Sequence, residues 1–303
     1  MRHHIERIVT RPDFDGIVCA MLLRRAIEAS LPILWVEPGD MQAGKIDIQP
    51  GDVLANLPFD LRAAMWFDHH YSNRHDHPFE GAYDLTPSAA RLIYDYYRPL
   101  RQYGYAELLR QTDKIDAADL TRQEVLNPQE YPYILLSMTI EDRTPEDSQY
   151  WEHLTHLLAT QPIQAILDDT QVAAQCRRVV AQNKRYRQLL LDHTVMRGPV
   201  AVTDFRPLHP APAGNRFLGY CLFPDSIVQI KIRFDKDNPD KVIASVGHSI
   251  FNNRCQVNVG KMLSRFNGGG HRGAGACSFN RSQGDHYLSQ IIDILKANQN
   301  NEG

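Results

Sequence analysis

The chain is 303 residues long, a length for which about two domains is the prior, and its 43% hydrophobic and 23% charged residues exclude a fibrous or largely disordered polypeptide. Lys plus Arg number 33 against 36 Asp plus Glu, a formal charge of -3, which speaks against wrapping long nucleic acid and leaves room for a small anion in a local basic pocket. Five scattered cysteines without a C-x-x-C pair indicate neither a disulfide scaffold nor a structural zinc site; with no signal-like segment and no apolar run of about 18 residues, the expected location is cytoplasmic.

Residues 5–10 read as a short apolar strand ended by the polar turn RPDFDG. In GIVCAMLLRRAIEAS the apolar Ile17, Met21, Leu22 and Ala26 recur at helical spacing, with arginines on another face. Residues 33–36, 53–57 and 64–67 are further strand candidates, each followed by polar or turn residues. Thr86-Pro87-Ser88 opens a helix to about residue 97, with the proline suited to a first turn. Strands alternating with helices predict a parallel α/β sheet, whose ligands sit at the carboxyl ends of the strands. From about residue 145 to 193 the pattern is largely helical, and Arg177, Arg178, Lys184, Arg185 and Arg187 read as the solvated face of a connector. Strand patterns return as VAVTDF, IVQIKIRF and VIASVGHSI. The expected division is an N-terminal α/β domain with its helical connector over 1–193 and a smaller α/β domain over 194–303.

Polar clusters fall where such a sheet places a site. In Asp13-Phe14-Asp15-Gly16, two carboxylates share one side of an extended chain and suit a divalent cation, with Gly16 allowing close backbone approach; the bland alternative is a turn that caps the helix. Asp68-His69-His70 follows the strand AAMWF and combines imidazole ligands with a carboxylate able to orient a ring. Against it stands a pair of loop histidines, beside His75 and His77. Downstream, TDKIDAAD offers Asp113, Asp116 and Asp119 near one helical face; Asp113 is the preferred additional ligand and Asp116 the rival. In the second domain Gly268, Gly269 and Gly270 precede His271 and Arg272, so that backbone amides and charged side chains could hold an anion, or the glycines could make a plain hairpin turn. Arg254 is a second candidate anion contact.

RPDFDG, WFDHH, TDKIDAAD and FNGGGHRGAGAC, in this order along the chain, resemble the DHH/DHHA1 phosphoesterase superfamily, in particular its small two-domain bacterial type. That group includes oligoribonucleotide and 3'-phosphoadenosine 5'-phosphate hydrolases and exopolyphosphatase-related proteins. The resemblance implies a catalytic domain, a substrate-binding domain and an active site between them. It implies one or two manganese ions held by Asp13, Asp15, His69 and Asp113, with Asp68 and His70 as catalytic groups. Arg254, Gly268, Gly269, Gly270, His271 and Arg272 would hold the substrate. Two positions depart from the pattern: Val9 stands where a histidine is usual, and Asn56 where an aspartate is usual.

The resulting expectation is hydrolysis of a short phosphorylated nucleotide or oligonucleotide by metal-activated water, without long duplexes or membranes as partners and with a homodimer as an option. Alternatives are a catalytically impaired nucleotide- or phosphate-binding protein, because of Val9 and Asn56, and a short-chain polyphosphate hydrolase. An aspartyl-phosphate phosphatase using Asp13, Asp15 and the later Asp168-Asp169 pair leaves Asp68-His69-His70 unexplained.

Overall fold

The computed structural model describes residues 4–140 and 147–302, so the first two residues of the expected helical stretch from 145 lie outside the described residues. The chain divides into two compact units, one within Met1–Leu120 and Gln129–Arg177, the other within Thr121–Pro128 and Arg178–Gly303. This division falls inside a long helix and not at 193, and it counts a short segment before residue 129 with the second unit.

In the first unit β1 (Arg7–Thr10), β2 (Ile33–Trp35), β3 (Asp52–Ala55), β4 (Met65–Asp68) and β5 (Gly81–Tyr83) form a sheet of order β2-β1-β3-β4-β5. Every pairing in it is parallel. All residues of β3 and β4 are buried, as befits apolar strands covered on both faces. β5, only Gly-Ala-Tyr, is too short to show a period and was not among the expected strands. Arg7 and Asp52 are register partners at the entry ends of β1 and β3. The guanidinium donates twice to the buried carboxylate, at 2.8 and 2.6 Å, which uses up Asp52 far from the carboxyl ends of the strands.

Helix α1 (Phe14–Ala26) begins almost at the end of β1. Asp13 is extended (φ −131°, ψ 179°) and accepts from the Gly16 N–H at 2.8 Å, capping the helix. A Cβ on Gly16 would lie 1.9 Å from the Arg11 carbonyl oxygen, so glycine alone permits this tight return. Residues 14–23 of α1 are all buried, so the helix has no solvated stripe in that stretch; its arginines come only in the last turn.

After α2 (Pro38–Gln42) come α3 (Ala89–Tyr96) and α4 (Ala106–Asp116), then α5 (Arg122–Leu126) and α6 (Pro132–Met138). Ser88 caps α3 by accepting from Arg91 N–H at 3.2 Å, which puts Pro87 one residue before the cap and not in the first turn. The expected helical middle is α7 (Ser148–Thr160), α8 (Ile163–Asp168) and α9 (Thr170–His193), and the five basic residues of α9 are exposed as expected. Helices α3 and α7 pack against α1.

The second unit carries a mixed sheet of β6 (Thr194–Arg197), β7 (Val200–Asp204), β8 (Val228–Phe234), β9 (Lys241–His248), β10 (Gly268–Gly270) and β11 (Ala274–Asn280), in the order β10-β11-β9-β8-β7-β6. Only β7 and β8 run parallel. Alternation along β9 sends Val242, Ala244 and Val246 into a core shared with Met262, Leu263, Phe266 and Ile291. Its helices are the part of α9 from Arg178 onward, α10 (Leu218–Leu222), α11 (Val259–Leu263) and α12 (Gly284–Ala297), besides α5. No helix among the described residues is long and apolar enough to cross a membrane.

Gly16→Ala is expected to cost about 3 kcal/mol or more in urea unfolding, because the methyl group meets backbone. Gly104→Ala, at φ +72° but in open space, is expected to cost only about 1–2 kcal/mol.

Candidate functional site

A sheet of order β2-β1-β3-β4-β5 reverses its winding between β1 and β3, which opens a crevice at their carboxyl ends. Asp13 and Asp15 follow β1, Asn56 follows β3, and β4 ends in Asp68 with His69 and His70 next in the chain. Three adjacent strands therefore deliver their polar residues to one edge of the sheet.

Asp15 is 2% exposed. Its two oxygens accept from the Ala89 and Ala90 N–H groups, both at 2.9 Å, in the first turn of α3, where the helix leaves amides unpaired. The Cys19 thiol, one turn along α1, lies 3.7 Å from Asp15 Oδ1. His69 Nδ1 is 2.9 Å from the Thr86 carbonyl oxygen, which can only accept, so Nδ1 carries the proton and a neutral ring keeps its lone pair on Nε2. That Nε2 is buried, has no aligned hydrogen bond, and lies 3.2 Å from Asp116 Oδ2. One donor atom each from Asp15, His69 and Asp116 falls within 4.8 Å of the others. A lone pair facing two carboxylates is repulsive unless a cation or a proton lies among them. This N/O donor set suits a divalent ion such as manganese.

The electrostatics agree. Burial, with the neighbouring Asp13 carboxylate, pushes Asp15 up to about 7. Burial, with Asp15 and Asp13 nearby, pushes Asp116 up to about 7. His70 Nδ1 lies 2.8 Å from Oδ1 of the fully buried Asp68, whose Oδ2 accepts from Asn73 Nδ2 at 2.7 Å. The hydrogen bond to Asp68 raises the His70 pKa above the usual histidine value, against an opposing contribution from burial.

Other expected residues are placed differently. Asp113 stands apart from the donor cluster: it accepts from Ser88 Oγ at 2.6 Å and from Arg91 Nε and Nη2 at 3.0 and 2.5 Å, tying α4 to α3. Asp116, and not the expected Asp113, is the carboxylate beside His69, because an arginine on the facing helix pairs with Asp113. Asp13 Oδ1 accepts from Gly16 N–H and from Asn56 Nδ2, at 2.8 and 3.0 Å, and Oδ2 is ion-paired with Arg11 Nε at 3.2 Å. Val9 is fully buried in an apolar cluster with Leu54, Leu57 and Trp66. Asp169 accepts from the Gln171 and Val172 N–H groups and pairs with His153 at 3.2 Å, so it serves the start of α9. Arg11, Arg91 and the amides of Ala89 and Ala90 were not expected in these roles; the Ser-Ala-Ala start of a helix was the one sequence signal for the amides.

In the second unit Gly268, Gly269 and Gly270 are strand β10, paired antiparallel with β11, and not a loop of successive free amides. A Cβ on Gly268 would lie 2.4 Å from the Ala276 carbonyl oxygen, and one on Gly270 (φ +144°) 2.3 Å from that of Ala274. Close backbone packing thus accounts for these two glycines. His271 and Arg272 are exposed at the turn after β10, and Arg272 is ion-paired with Glu302. Arg254, also exposed, donates through Nε to Asn252 Oδ1 at 2.9 Å.

No family model and no curated protein matches the chain. Among solved structures the chain is similar to PggH, a pGpG-specific phosphodiesterase from Vibrio cholerae, at 27% identity and a TM-score of 0.83 over 97% of this chain and 100% of that one. An exopolyphosphatase-related protein from Bacteroides fragilis shares the fold at 13% identity and a TM-score of 0.54, over 98% and 94% of the two chains. The exonuclease RecJ of Thermus thermophilus, solved with Mn2+, does so at 11% identity and a TM-score of 0.55, over 97% of this chain and 53% of that one.

Raised carboxyl pKa values mean that the folded state holds protons the unfolded chain has already released between about pH 4 and 7. In chelator, stability from this pair is therefore greatest at low pH and declines as pH rises through about 7. Thermal unfolding of the wild type should lose more stability between about pH 5 and pH 8 than that of Asp116→Asn; equal losses would refute the raised carboxyl pKa values.

Proposed function

We propose that this chain, a member of the DHH phosphoesterase superfamily, is a divalent-metal-dependent phosphoesterase that cleaves a short phosphorylated nucleotide. The reading rests on one observation: Asp15, His69 and Asp116 converge, with a buried imidazole nitrogen that makes no aligned hydrogen bond and faces Asp116 at 3.2 Å. We assign Asp15, His69 and Asp116 to the ion, with manganese as the first candidate. A linear dinucleotide of the pGpG kind is the first substrate to test, because the similar structure of that specificity spans this chain nearly end to end. The net charge of -3 favours such a small anion over a long duplex.

A bound divalent ion would polarise the phosphate and lower the pKa of water at the site. The chain's own contribution is placement and charge. Two amides of α3 hold Asp15 in position, and the Thr86 carbonyl fixes the His69 tautomer so that its lone pair faces the site. His70, kept protonated further toward neutrality by Asp68, can donate to a phosphate oxygen and offset the charge that develops there. A second reading, nucleotide binding without turnover, is favoured by the engagement of Asp13 with Arg11 and Asn56.

The test is mononucleotide or phosphate release from a panel of pGpG, other dinucleotides, a pentanucleotide, a cyclic dinucleotide, 3'-phosphoadenosine 5'-phosphate and short polyphosphate, with manganese and with chelator. Manganese-dependent release is expected, fastest on a dinucleotide. Asp15→Asn and Asp116→Asn should each lower it more than about 100-fold, beyond the usual loss for a supporting residue. Asp113→Asn should stay within about tenfold, and His70→Ala should lower turnover about 100- to 1,000-fold. Tight nucleotide binding with no release from any substrate would instead establish the second reading.

A further inference from the structure

The ring of carboxylates holds a second place where a cation could be expected, beside Asp13, and that place is filled by the chain itself. Asp13 Oδ1 accepts from a backbone amide and from the Asn56 amide, and Oδ2 faces Arg11 Nε at 3.2 Å. Asn56 presents its NH2 to Asp13, an orientation that offers hydrogens where a ligand would offer oxygen lone pairs. Its own Oδ1 is buried without a hydrogen bond. Val9 packs among Leu54, Leu57 and Trp66 and has no donor atom.

We propose that this site takes a single divalent ion, at Asp15, His69 and Asp116, and that Arg11 supplies beside Asp13 the positive charge a second ion would bring. The proposal rests on the metal-dependent reading above and departs from the pair of ions that the family resemblance allows. Charge balance supports it: one divalent ion and one guanidinium match the charges of Asp13, Asp15 and Asp116, whereas two ions and the guanidinium overshoot them. Arg11 also lies 3.9 Å from the more exposed Glu37, which holds it from the solvent side. Its Nε is buried and meets Asp13 without the alignment of a hydrogen bond, so the guanidinium is placed as a charge more than as a donor to that carboxylate.

The test counts ions directly, by electron paramagnetic resonance of manganese titrated into the full-length protein, and does not depend on turnover. The wild type should take up one tight ion per chain, and Arg11→Ala combined with Asn56→Asp should take up two, with the broadened spectrum of a spin-coupled pair. The φ of Asn56 is +57°, a region that aspartate also tolerates, so the backbone permits that exchange. Arg11→Lys should remain at one. Two tight ions in the wild type overturn the proposal, as does a folded double variant that still binds one. No bound ion in the wild type overturns it together with the metal-dependent reading, whereas one bound ion without turnover overturns only the hydrolase assignment and supports the count. If the double variant does not fold, the wild-type count decides.

Discussion

Keeping the carboxylate of Asp15 inside the protein is the constraint around which the first unit is arranged. An ionised carboxylate without partners costs several kcal/mol to bury, so its environment must supply donors. The unpaired amides at the start of α3 do so, which locks the first turn of α1 to the first turn of α3. Ser88 then does two things at once: it caps α3 and donates to Asp113, while Arg91, three residues on, pairs with the same carboxylate. A single buried carboxyl group thereby sets the relation of α1, α3 and α4, and with it the position of Asp116 at the last residue of α4.

Arginines sort the carboxylates around this edge of the sheet. Arg11 takes Asp13 and Arg91 takes Asp113, as Arg7 takes Asp52 at the opposite ends of the strands. Among the described residues no arginine or lysine is within ion-pair distance of Asp15 or Asp116, which face His69 instead. Burial, with neighbouring carboxylates and no guanidinium to offset them, raises both carboxyls to about 7. The candidate cation site consists of the carboxyls left without a guanidinium among the described residues, not of every acidic residue nearby. Asp68 belongs to neither class: it is fully buried, and its work is to orient His70 and raise that ring's proton affinity.

The second unit shows how one motif can have two physical explanations. Three glycines before a histidine and an arginine suggest an amide-lined cradle, yet Gly268 and Gly270 are needed because their backbone runs against β11 too closely for a Cβ. That packing concerns the strand and leaves His271 and Arg272 exposed at its end. Backbone packing alone is therefore sufficient to explain Gly268 and Gly270.

Much of the framework was legible in the sequence, because it depends on local rules. Apolar runs ended by polar turns marked four of the five parallel strands, and polar residues directly after β1 and β4 marked the edge of the sheet where a site belongs. Asp13, Asp15, Asp68, His69 and His70 were all visible in this way. Spacing could not choose between Asp113 and Asp116, three residues apart on one helix and so near the same face. That choice belongs to Arg91, on a different helix, which captures one of them. Likewise, Asn56 reads from the sequence only as a missing carboxylate, and Arg11 only as part of a turn. Their joint hold on Asp13 exists only once β1 and β3 lie side by side. Sequence determines which charges are available and on which element each one sits; pairing between elements distant in the chain decides which of them are neutralised and which stay available to a cation.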